Sequence, residues 1–145
     1  MNVDQYGGVH PDVVAHSSSL PFADGSATAI YCGHLLEHLE LGSELLATLR
    51  EVRRVLAPGC RLCVVGPDYD RAFANPEWHD VVPGIIRGGN RWPGDAHRWL
   101  STGPRTVKAV RPLFPAATEV PITSLLGWPV VDTVGWQFAL FAEAP

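Results

Sequence analysis

A single segment, residues 43–66, constrains the fold of this chain more than any other. Its apolar residues recur at spacings of four, three and four, at Leu45, Leu49, Val52 and Leu56. That spacing predicts an amphipathic helix, for which Ser43 is the N-cap. Pro58 and Gly59 predict the end of the helix, and the apolar run 61–66 predicts a buried strand behind it.

Short apolar runs on the N-terminal side of this helix predict three more strands. They are Met1–Asp4, Asp12–His16 and residues 27–32, the last of which follows a turn signal at Asp24–Ser26. The strand 27–32, the helix and the strand 61–66 are spaced as a right-handed βαβ unit. The two strands of that unit are therefore expected to lie parallel.

The C-terminal half predicts one further helix and a closing pair of strands. Thr102 is the expected N-cap of that helix, and residues 117–122 and 136–143 are expected to pair as antiparallel strands. Residues 67–103 combine glycines with large aromatic residues and predict a loop-rich lid or substrate segment. A chain of 145 residues has the length of one domain. The alternation of strands and helices predicts an α/β, three-layer architecture with a mostly parallel sheet.

Composition and charge exclude several classes of function. Lys and Arg total 11 and Asp and Glu total 15, for a net charge of -4. This balance does not provide the basic surface that holds a nucleic-acid backbone or an anionic membrane. We find no apolar run of the ~20 residues that a membrane-spanning helix needs, and no secretory signal pattern at the N-terminus. Three cysteines, an odd number, favour the reducing cytoplasm over a disulfide framework.

Three linked blocks of sequence carry a resemblance to a known family. They are LPFADGS at 20–26, IYCGHLLEHLE at 30–40 and LLATLREVRRVLAPGCRLCVVGPD at 45–68. In this order they resemble the class I S-adenosylmethionine-dependent methyltransferases of the type 11 kind. The resemblance implies a Rossmann-like methyltransferase sheet, S-adenosylmethionine as cofactor, and transfer of its methyl group to a small-molecule substrate.

The chain departs from that family at its N-terminus. Family members hold the methionine part of the cofactor with a glycine-rich loop after their first strand, and no such loop precedes Asp4. The resemblance thus implies a sheet that is truncated at its N-terminal side and lacks one central strand. Three arrangements stay open: the second family strand pairs directly with the fourth, a second subunit covers the gap as in a homodimer, or the gene product starts further upstream.

Position by position, the resemblance implies a cofactor site of five residues. Asp4 matches the carboxylate at the end of the second family strand, which accepts hydrogen bonds from the ribose hydroxyls. His16 and Ser17 match the positions beside the adenine. Cys32 and Gly33 match residues after the fourth family strand that line the methionine part of the cofactor.

Four more residues are candidates for the substrate side of the site. His34 follows the same block and is the candidate general base for a hydroxyl acceptor. Tyr69 lies at the substrate edge of the sheet by topology. Trp92 and His97 belong to the predicted lid segment, where they either close on a substrate or, together with Trp99, pack the segment against the rest of the chain.

Two patterns of histidine and cysteine could bind a metal, and both have a more economical explanation. Residues 34–38 read H-x-x-E-H, the inverted zinc-peptidase pattern, but they also belong to the LEHL block of the family. Cys60 and Cys63 form C-x-x-C along a predicted strand, where an odd separation points the two side chains to opposite faces. We therefore predict no metal site and buried structural thiols.

Two further hypotheses for the whole chain stand beside the methyltransferase. One is a non-catalytic, degenerate methyltransferase fold that acts as a binding or partner subunit, which the missing glycine-rich loop motivates. The other, more remote, is a zinc peptidase that uses the HLLEH segment.

Several remaining side chains are assigned structural roles. Trp128 and Trp136 are expected in the core beneath the closing β-pair. Arg50, Arg53 and Arg54 are expected on the solvated face of the predicted helix.

Overall fold

This computed structural model describes residues 1–80, 82–88, 94–125, 128 and 135–145. In chain order, the described strands and helices are β1 (Val3–Asp4), β2 (Val13–Val14), β3 (Ala27–Gly33), α1 (Ser43–Val55), β4 (Leu56–Pro67), α2 (Tyr69–Ala74), α3 (Val82–Arg87), α4 (Gly103–Val110), β5 (Thr118–Val120) and β6 (Gln137–Glu143). Short 3-10 turns occupy Gly7–Val9, Leu36–His38, Pro76–Trp78 and Ile122–Ser124. None of the described helices combines the length and the apolar character needed to cross a membrane.

Four strands form the main sheet, in the order β3-β4-β6-β5. Strands β3 and β4 are parallel, with Ile30 opposite Leu62 and Cys32 opposite Val64. The predicted parallel strand–helix–strand unit is therefore confirmed. Strand β6 is antiparallel to both β4 and β5, which confirms the predicted closing pair.

Strands β1 and β2 form a separate, parallel two-stranded sheet. Both strands were expected here, and each is only two residues long. Direct pairing of β1 with β3, one of the three open arrangements, does not occur. One edge of β1 pairs with the neighbouring run, since Val13 N donates to Asn2 O and Ala15 N donates to Asp4 O. Among the described strands, β3 is paired along one edge, with β4.

Helix α1 has the predicted apolar face and starts at a different cap. Leu45, Leu49 and Val52 are buried, as their spacing predicts. The N-cap is Gly42 rather than Ser43, and its φ of 114° lies where glycine is favoured because it has no Cβ. The chain therefore enters α1 through a turn that a serine would not easily adopt.

The C-terminal end of α1 also differs from the prediction. The helix ends at Val55, and Leu56 already begins β4, so Pro58 and Gly59 lie within the strand instead of closing the helix. The reason is a long-range pairing: Gly59 N donates to Ala144 O, and Ala144 N donates to Cys60 O. The end of the chain thus supplies the partners that hold this stretch extended.

Arg50 and Arg53 are exposed on α1, as predicted, whereas the Arg54 side chain is only 32% exposed and makes several hydrogen bonds. Its guanidinium donates at 2.6 to 3.1 Å to the carbonyl oxygens of Leu20 and Phe22 and to the carboxylate of Asp24. Glu51 accepts from Arg54 and from the backbone N–H of Leu20. The hydrogen bonds from Arg54, above all, lower the pKa of Glu51 to about 2. Two residues of α1 therefore clamp the turn at 20–24, and the LPFADGS block and the helix are one structural unit.

The main sheet is covered on both faces, as a three-layer arrangement requires. Leu62 and Val64 of β4 belong to the larger core cluster, which includes residues of α1 and α4. Cys63 and Val65 belong to a smaller cluster on the opposite face. Cys60 packs on the first of these faces, so the prediction that the two thiols of C-x-x-C point apart is confirmed. All three cysteines are free.

The two tryptophans expected in the core are partly buried. Trp128 packs on the smaller cluster, with its ring centroid 6.4 Å from that of Tyr31 and 5.8 Å from that of Phe141. Trp136 packs against a third cluster, which contains Tyr69. Both contribute to the packing around the closing β-pair.

The described part of segment 67–103 is more regular than its predicted loop-rich character, because it contains α2 and α3. Asp68 caps α2 by accepting from Arg71 N, and it also accepts from Gly103 N at the start of α4. Thr102 caps α4, as predicted. One buried carboxylate therefore joins the N-termini of two helices at the end of β4.

Candidate active site

The carboxyl ends of β3 and β4 lie side by side, and the chain turns sharply there. Strand β3 ends at Gly33, and His34 has a φ of 50°, in the left-handed region that non-glycine residues seldom occupy. His34 N donates to Val65 O at 2.8 Å, which holds the turn against β4. Backbone strain at such a place is often found at functional sites.

A cavity of about 220 Å³ opens at this edge of the sheet. Its lining comes from two parts of the chain, the first strand with its neighbours and the end of β3: Asn2, Val3, Asp4, Tyr31, Cys32, Gly33, His34 and Leu35. Four predicted site residues are therefore neighbours around one space, although about 30 positions separate the first of them from the others in sequence. Their grouping supports the expectation that ligands bind beyond the carboxyl ends of the strands.

A larger groove lies elsewhere. It has a volume of about 480 Å³ and is lined mainly by apolar residues of α1 and by residues of α4. None of the predicted site residues that the structure describes lines it, so size alone does not identify the candidate site.

Asp4 presents its carboxylate from the end of β1. Its Oδ1 atom accepts a hydrogen bond of 2.7 Å from the backbone N–H of Tyr6. That bond orients the carboxylate at the cavity wall. An ionised carboxylate has lone pairs for several donors at once, so Asp4 has further capacity for a ligand hydroxyl.

His16 and Ser17 are not among the residues that line the cavity. His16 is exposed, and its Nδ1 lies 2.7 Å from the hydroxyl of Ser18. Ser17 is half-buried, and its Oγ lies 2.9 Å from Oγ1 of the buried Thr48 in α1. The structure thus gives Ser17 an anchoring contact, and the predicted adenine contacts of both residues stay predictions.

The imidazole of His34 is held at both nitrogens. Its Nδ1 lies 3.1 Å from Oε1 of Glu37, and its Nε2 lies 2.8 Å from Nε2 of Gln137. With the NH₂ group of the Gln137 amide facing the imidazole, Nε2 of His34 accepts, and Nδ1 carries the proton that is donated to Glu37. The ring of Trp136 meets the imidazole edge-on, with the centroids 6.0 Å apart.

Gln137 is a functional candidate that the sequence did not reveal, and Glu37 stood out in the sequence only as part of the HLLEH segment. Glu37 is 1% exposed and Gln137 is 2% exposed. Glu37 lies within the LEHL block, three positions after His34. In a helix-like turn this spacing places two side chains close together, and it is the one local signal for their contact. Gln137 lies 103 positions away, and no local pattern links it to the histidine.

Tyr69 is buried, whereas the topology predicted it at the substrate edge. Its hydroxyl lies 2.7 Å from Nδ1 of His97. Burial, with a smaller effect of the charge on Glu37, raises the pKa of the Tyr69 phenol above its usual range. The phenol is therefore neutral at physiological pH and serves His97 as a hydrogen-bonding partner. A substrate contact by Tyr69 stays a prediction.

The described part of the predicted lid packs against the chain. Trp99 is buried, and its indole N–H donates to Leu36 O at 2.8 Å. Arg98 forms an ion pair with Glu44 at 2.8 Å. Of the two alternatives left open for this segment, packing therefore applies to Trp99. The predicted substrate residue Trp92 lies outside the described residues.

The thiol of Cys32 forms a neutral part of the cavity wall. Burial, with smaller effects of Cys63 and Glu37, raises its pKa to about 12. The thiol stays protonated, so Cys32 does not serve as a thiolate nucleophile.

The inverted zinc-peptidase pattern does not form the helix that this mechanism requires. Leu36–His38 is a single 3-10 turn, and His34 lies before it in a left-handed conformation. The two histidines are therefore not one turn apart on an α-helical face.

Comparison with known family models supports the resemblance over part of the chain. Residues 4–64 match the sequence model of a family described as a methyltransferase domain. The match runs from Asp4 into β4, so it includes all five residues that the resemblance assigns to the cofactor. A search of curated protein sequences gave no match.

Solved structures share the fold at low sequence identity. One is an S-adenosylmethionine-dependent methyltransferase from Thermotoga maritima, with histamine as its suggested acceptor. It is 15% identical to this chain, with a TM-score of 0.61, and the aligned region covers 92% of this chain and 64% of the Thermotoga chain. One from Aquifex aeolicus is 15% identical with a TM-score of 0.54, covering 95% and 57%. The complex of the Haloferax volcanii Trm112 methyltransferase activator with a proposed methyltransferase gives 19% identity and a TM-score of 0.57, covering 92% and 60%.

These comparisons show the fold of the chain. The chain has the Rossmann-like α/β fold of the class I S-adenosylmethionine-dependent methyltransferases, and it spans 57 to 64% of the length of the three structures named.

Proposed function

We propose that this chain binds S-adenosylmethionine and transfers its methyl group to a small molecule. One observation carries the proposal: the cavity at the ends of the strands brings Asp4 next to Cys32, Gly33 and His34. The match to the methyltransferase-domain family over 4–64 supports it, because that match includes the same residues.

The residues around the cavity fit a nucleoside cofactor in part. Asp4 would accept hydrogen bonds from the ribose hydroxyls, and the apolar Val3 and Leu35 would contact uncharged parts of the ligand. A Cβ on Gly33 would clash with the Tyr31 ring, so a larger residue at the strand end would displace that ring. The cavity of about 220 Å³ is below the ~300 to 1,000 Å³ of complete ligand sites. It would therefore hold part of the cofactor, and further contacts must come from other surface.

Positioning would supply most of the acceleration. When bound, S-adenosylmethionine supplies a methyl group that its sulfonium already activates. The task of this chain is then to align an acceptor, for which effective molarities of about 10⁵ to 10⁸ M are attainable. His34 lies at the cavity wall beside the end of β3, where an acceptor would approach.

His34 is proposed as the general base for a hydroxyl acceptor. Its Nδ1–H donates to Glu37, and a carboxylate in that position stabilises the imidazolium that forms when Nε2 takes a proton. The Nε2 atom accepts from Gln137, so the acceptor hydroxyl must replace that amide. The structure thus assigns Glu37 and Gln137 the orientation of the imidazole.

Isothermal titration calorimetry with S-adenosylmethionine and S-adenosylhomocysteine tests the proposal. We expect micromolar affinity for the wild-type chain and a loss of about tenfold or more for Asp4→Asn, since ribose hydroxyls would lose a charged acceptor. Asp80→Asn, at an exposed carboxylate, is the matched control. Absence of heat at millimolar ligand contradicts the proposal.

The role of His34 has a separate test. With labelled S-adenosylmethionine and a panel of phenols and amines, His34→Gln should lower transfer to phenols by about 10²-fold or more. Transfer to amines that are already deprotonated should change less. Equal losses for both acceptor types would contradict the role as general base.

A binding or partner subunit without catalysis is the second candidate. The small volume of the cavity and the engagement of His34 by Gln137 favour it. The Haloferax volcanii structure shows a fold of this kind in complex with an activator protein. A homodimer that covers the edge of β3 without a partner among the described strands is a further form of this proposal. Sedimentation equilibrium of the purified chain would test it.

A further inference from the structure

Three side chains near the turn after β3 form a group of possible metal ligands, and two of them, His38 and His97, have no role in the proposed function. Glu37 and His38 belong to the 3-10 turn Leu36–His38, and His97 comes from the segment before α4. Each of the three offers one ligand atom, and these atoms all lie within 4.8 Å of one another. The rings of His38 and His97 meet edge-on, with their centroids 4.6 Å apart.

The burial and hydrogen bonding of this group favour a bound cation. The carboxylate of Glu37 is buried. Nδ1 of His38 is shielded from solvent and has no hydrogen-bond partner among the described residues. The hydrogen bond from His34 to Oε1 of Glu37 compensates this buried carboxylate in part, and a buried imidazole nitrogen without a partner is costly. An ion bound between them would satisfy both groups.

We propose that Glu37, His38 and His97 bind a divalent transition-metal ion of the zinc type. Two imidazoles and one carboxylate are a donor set that zinc accepts, with a fourth position left for water or another ligand. Imidazole donors favour zinc, copper, iron and nickel over magnesium and calcium. The site differs from the inverted zinc-peptidase pattern, because His97 takes the place of His34.

A supporting contact lies outside the donor set. The hydroxyl of Tyr69 lies 2.7 Å from Nδ1 of His97. Metal-binding histidines usually have such a partner on the ring nitrogen that faces away from the metal, and the partner fixes the orientation of the ring. His97 would then bind the ion through Nε2.

The two halves of the site are already joined by other bonds. Arg98 N donates to Glu37 O at 2.8 Å, and the Trp99 indole donates to Leu36 O at 2.8 Å. The ligands are therefore positioned before an ion arrives, which lowers the entropic cost of binding. A bound ion would add a third link between the segment before α4 and the turn after β3.

Metal titration of the chain tests the proposal. The protein is stripped with a chelator and titrated with Zn²⁺ by calorimetry and with Co²⁺ by visible absorption. We expect one ion per chain, a visible Co²⁺ spectrum, and a rise in the thermal midpoint with Zn²⁺. His38→Gln and His97→Gln should weaken binding by more than about 100-fold, and Tyr69→Phe by about 10- to 100-fold.

The matched control is His79→Ala, which removes an exposed histidine and should leave binding unchanged. Two results would overturn the site: no stoichiometric binding to the wild-type chain, or binding that His38→Gln and His97→Gln both leave intact. Circular dichroism establishes that each variant is folded. Should a variant fail to fold, the wild-type stoichiometry and Co²⁺ spectrum still decide the question.

Discussion

The two sheets of this molecule differ in how they are stabilised. The four-stranded sheet carries Leu62, Val64 and Leu140 at 1% exposure or less, and α1 and α4 cover one of its faces. In the two-stranded sheet and its flanks, residues 1–16, no residue is fully buried, and Val14 is 63% exposed. The candidate cavity takes its wall from both sheets, so a stable region presents His34 and a weakly packed region presents Asp4.

This difference in burial indicates which part of the molecule cofactor binding would change. A ligand that joins the two regions would order the less buried one, because the more buried one is already held by its core. Such ordering costs part of the binding energy. The predictions below test the contrast between the regions, beginning with the largest effect.

Amide hydrogen exchange should separate the two sheets most clearly. We expect peptides from β4 to be protected at least about 10³-fold more than peptides from residues 1–16, because core strands open only with global unfolding. Mass spectrometry of the exchanged peptides measures this. Saturating S-adenosylhomocysteine should slow exchange in 1–16 and leave β4 unchanged. Equal protection of the β4 peptides and the 1–16 peptides without ligand would contradict the proposed difference in stability between the two sheets.

Truncation of one apolar residue in each sheet should give unequal losses of stability. Leu62→Ala leaves a cavity in the main core and should lower the free energy of unfolding by about 2 to 5 kcal/mol. Val14→Ala should change it by no more than about 0.5 kcal/mol, because the side chain is exposed. Urea denaturation followed by circular dichroism gives both values. A larger loss from Val14→Ala than from Leu62→Ala would contradict the comparison.

The clamp between α1 and the 20–24 turn should make stability depend on acid pH. The pKa of Glu51 falls from 4.5 to about 2 in the folded chain, mainly through hydrogen bonds from Arg54. A carboxylate whose pKa is lower in the folded state than in the unfolded state stabilises the fold at every pH above its unfolded-state pKa. This stabilisation is lost as pH falls from about 4.5 toward about 2. Thermal midpoints across that range should fall less steeply for Glu51→Gln than for wild type. Glu77→Gln, at an exposed carboxylate, should follow the wild-type curve.

Thiol reactivity should give the smallest effect. Burial raises the pKa of Cys32 and of Cys63 to about 12, whereas Cys60 is only half-buried. At pH 8 an aromatic disulfide reagent should modify Cys60 first in the native chain and all three thiols in denaturant. In the variant Cys60→Ala the fast native reaction should be absent. Rapid native modification of Cys32 would show that the cavity wall opens.

Much of the main sheet could be predicted because its signals are local. The spacing of Leu45, Leu49 and Val52 is repeated within one helix, and a hydroxyl at Thr102 caps the helix that follows it. The features that sequence reasoning missed depend on distant partners. Arg54 reaches residues at least 30 positions away, and Gln137 reaches His34 across 103 positions.

The sequence by itself determined the parallel strand–helix–strand unit, the closing antiparallel pair and the membership of the fold class, since periodicity, caps and motif order act over a few residues. Only the tertiary structure decided that β1 pairs with β2, that Arg54 clamps a turn, and that Asp4 shares a cavity with His34. These outcomes depend on which backbone and side-chain groups meet after the chain has folded. Tertiary packing sets these contacts, and no local sequence pattern encodes it.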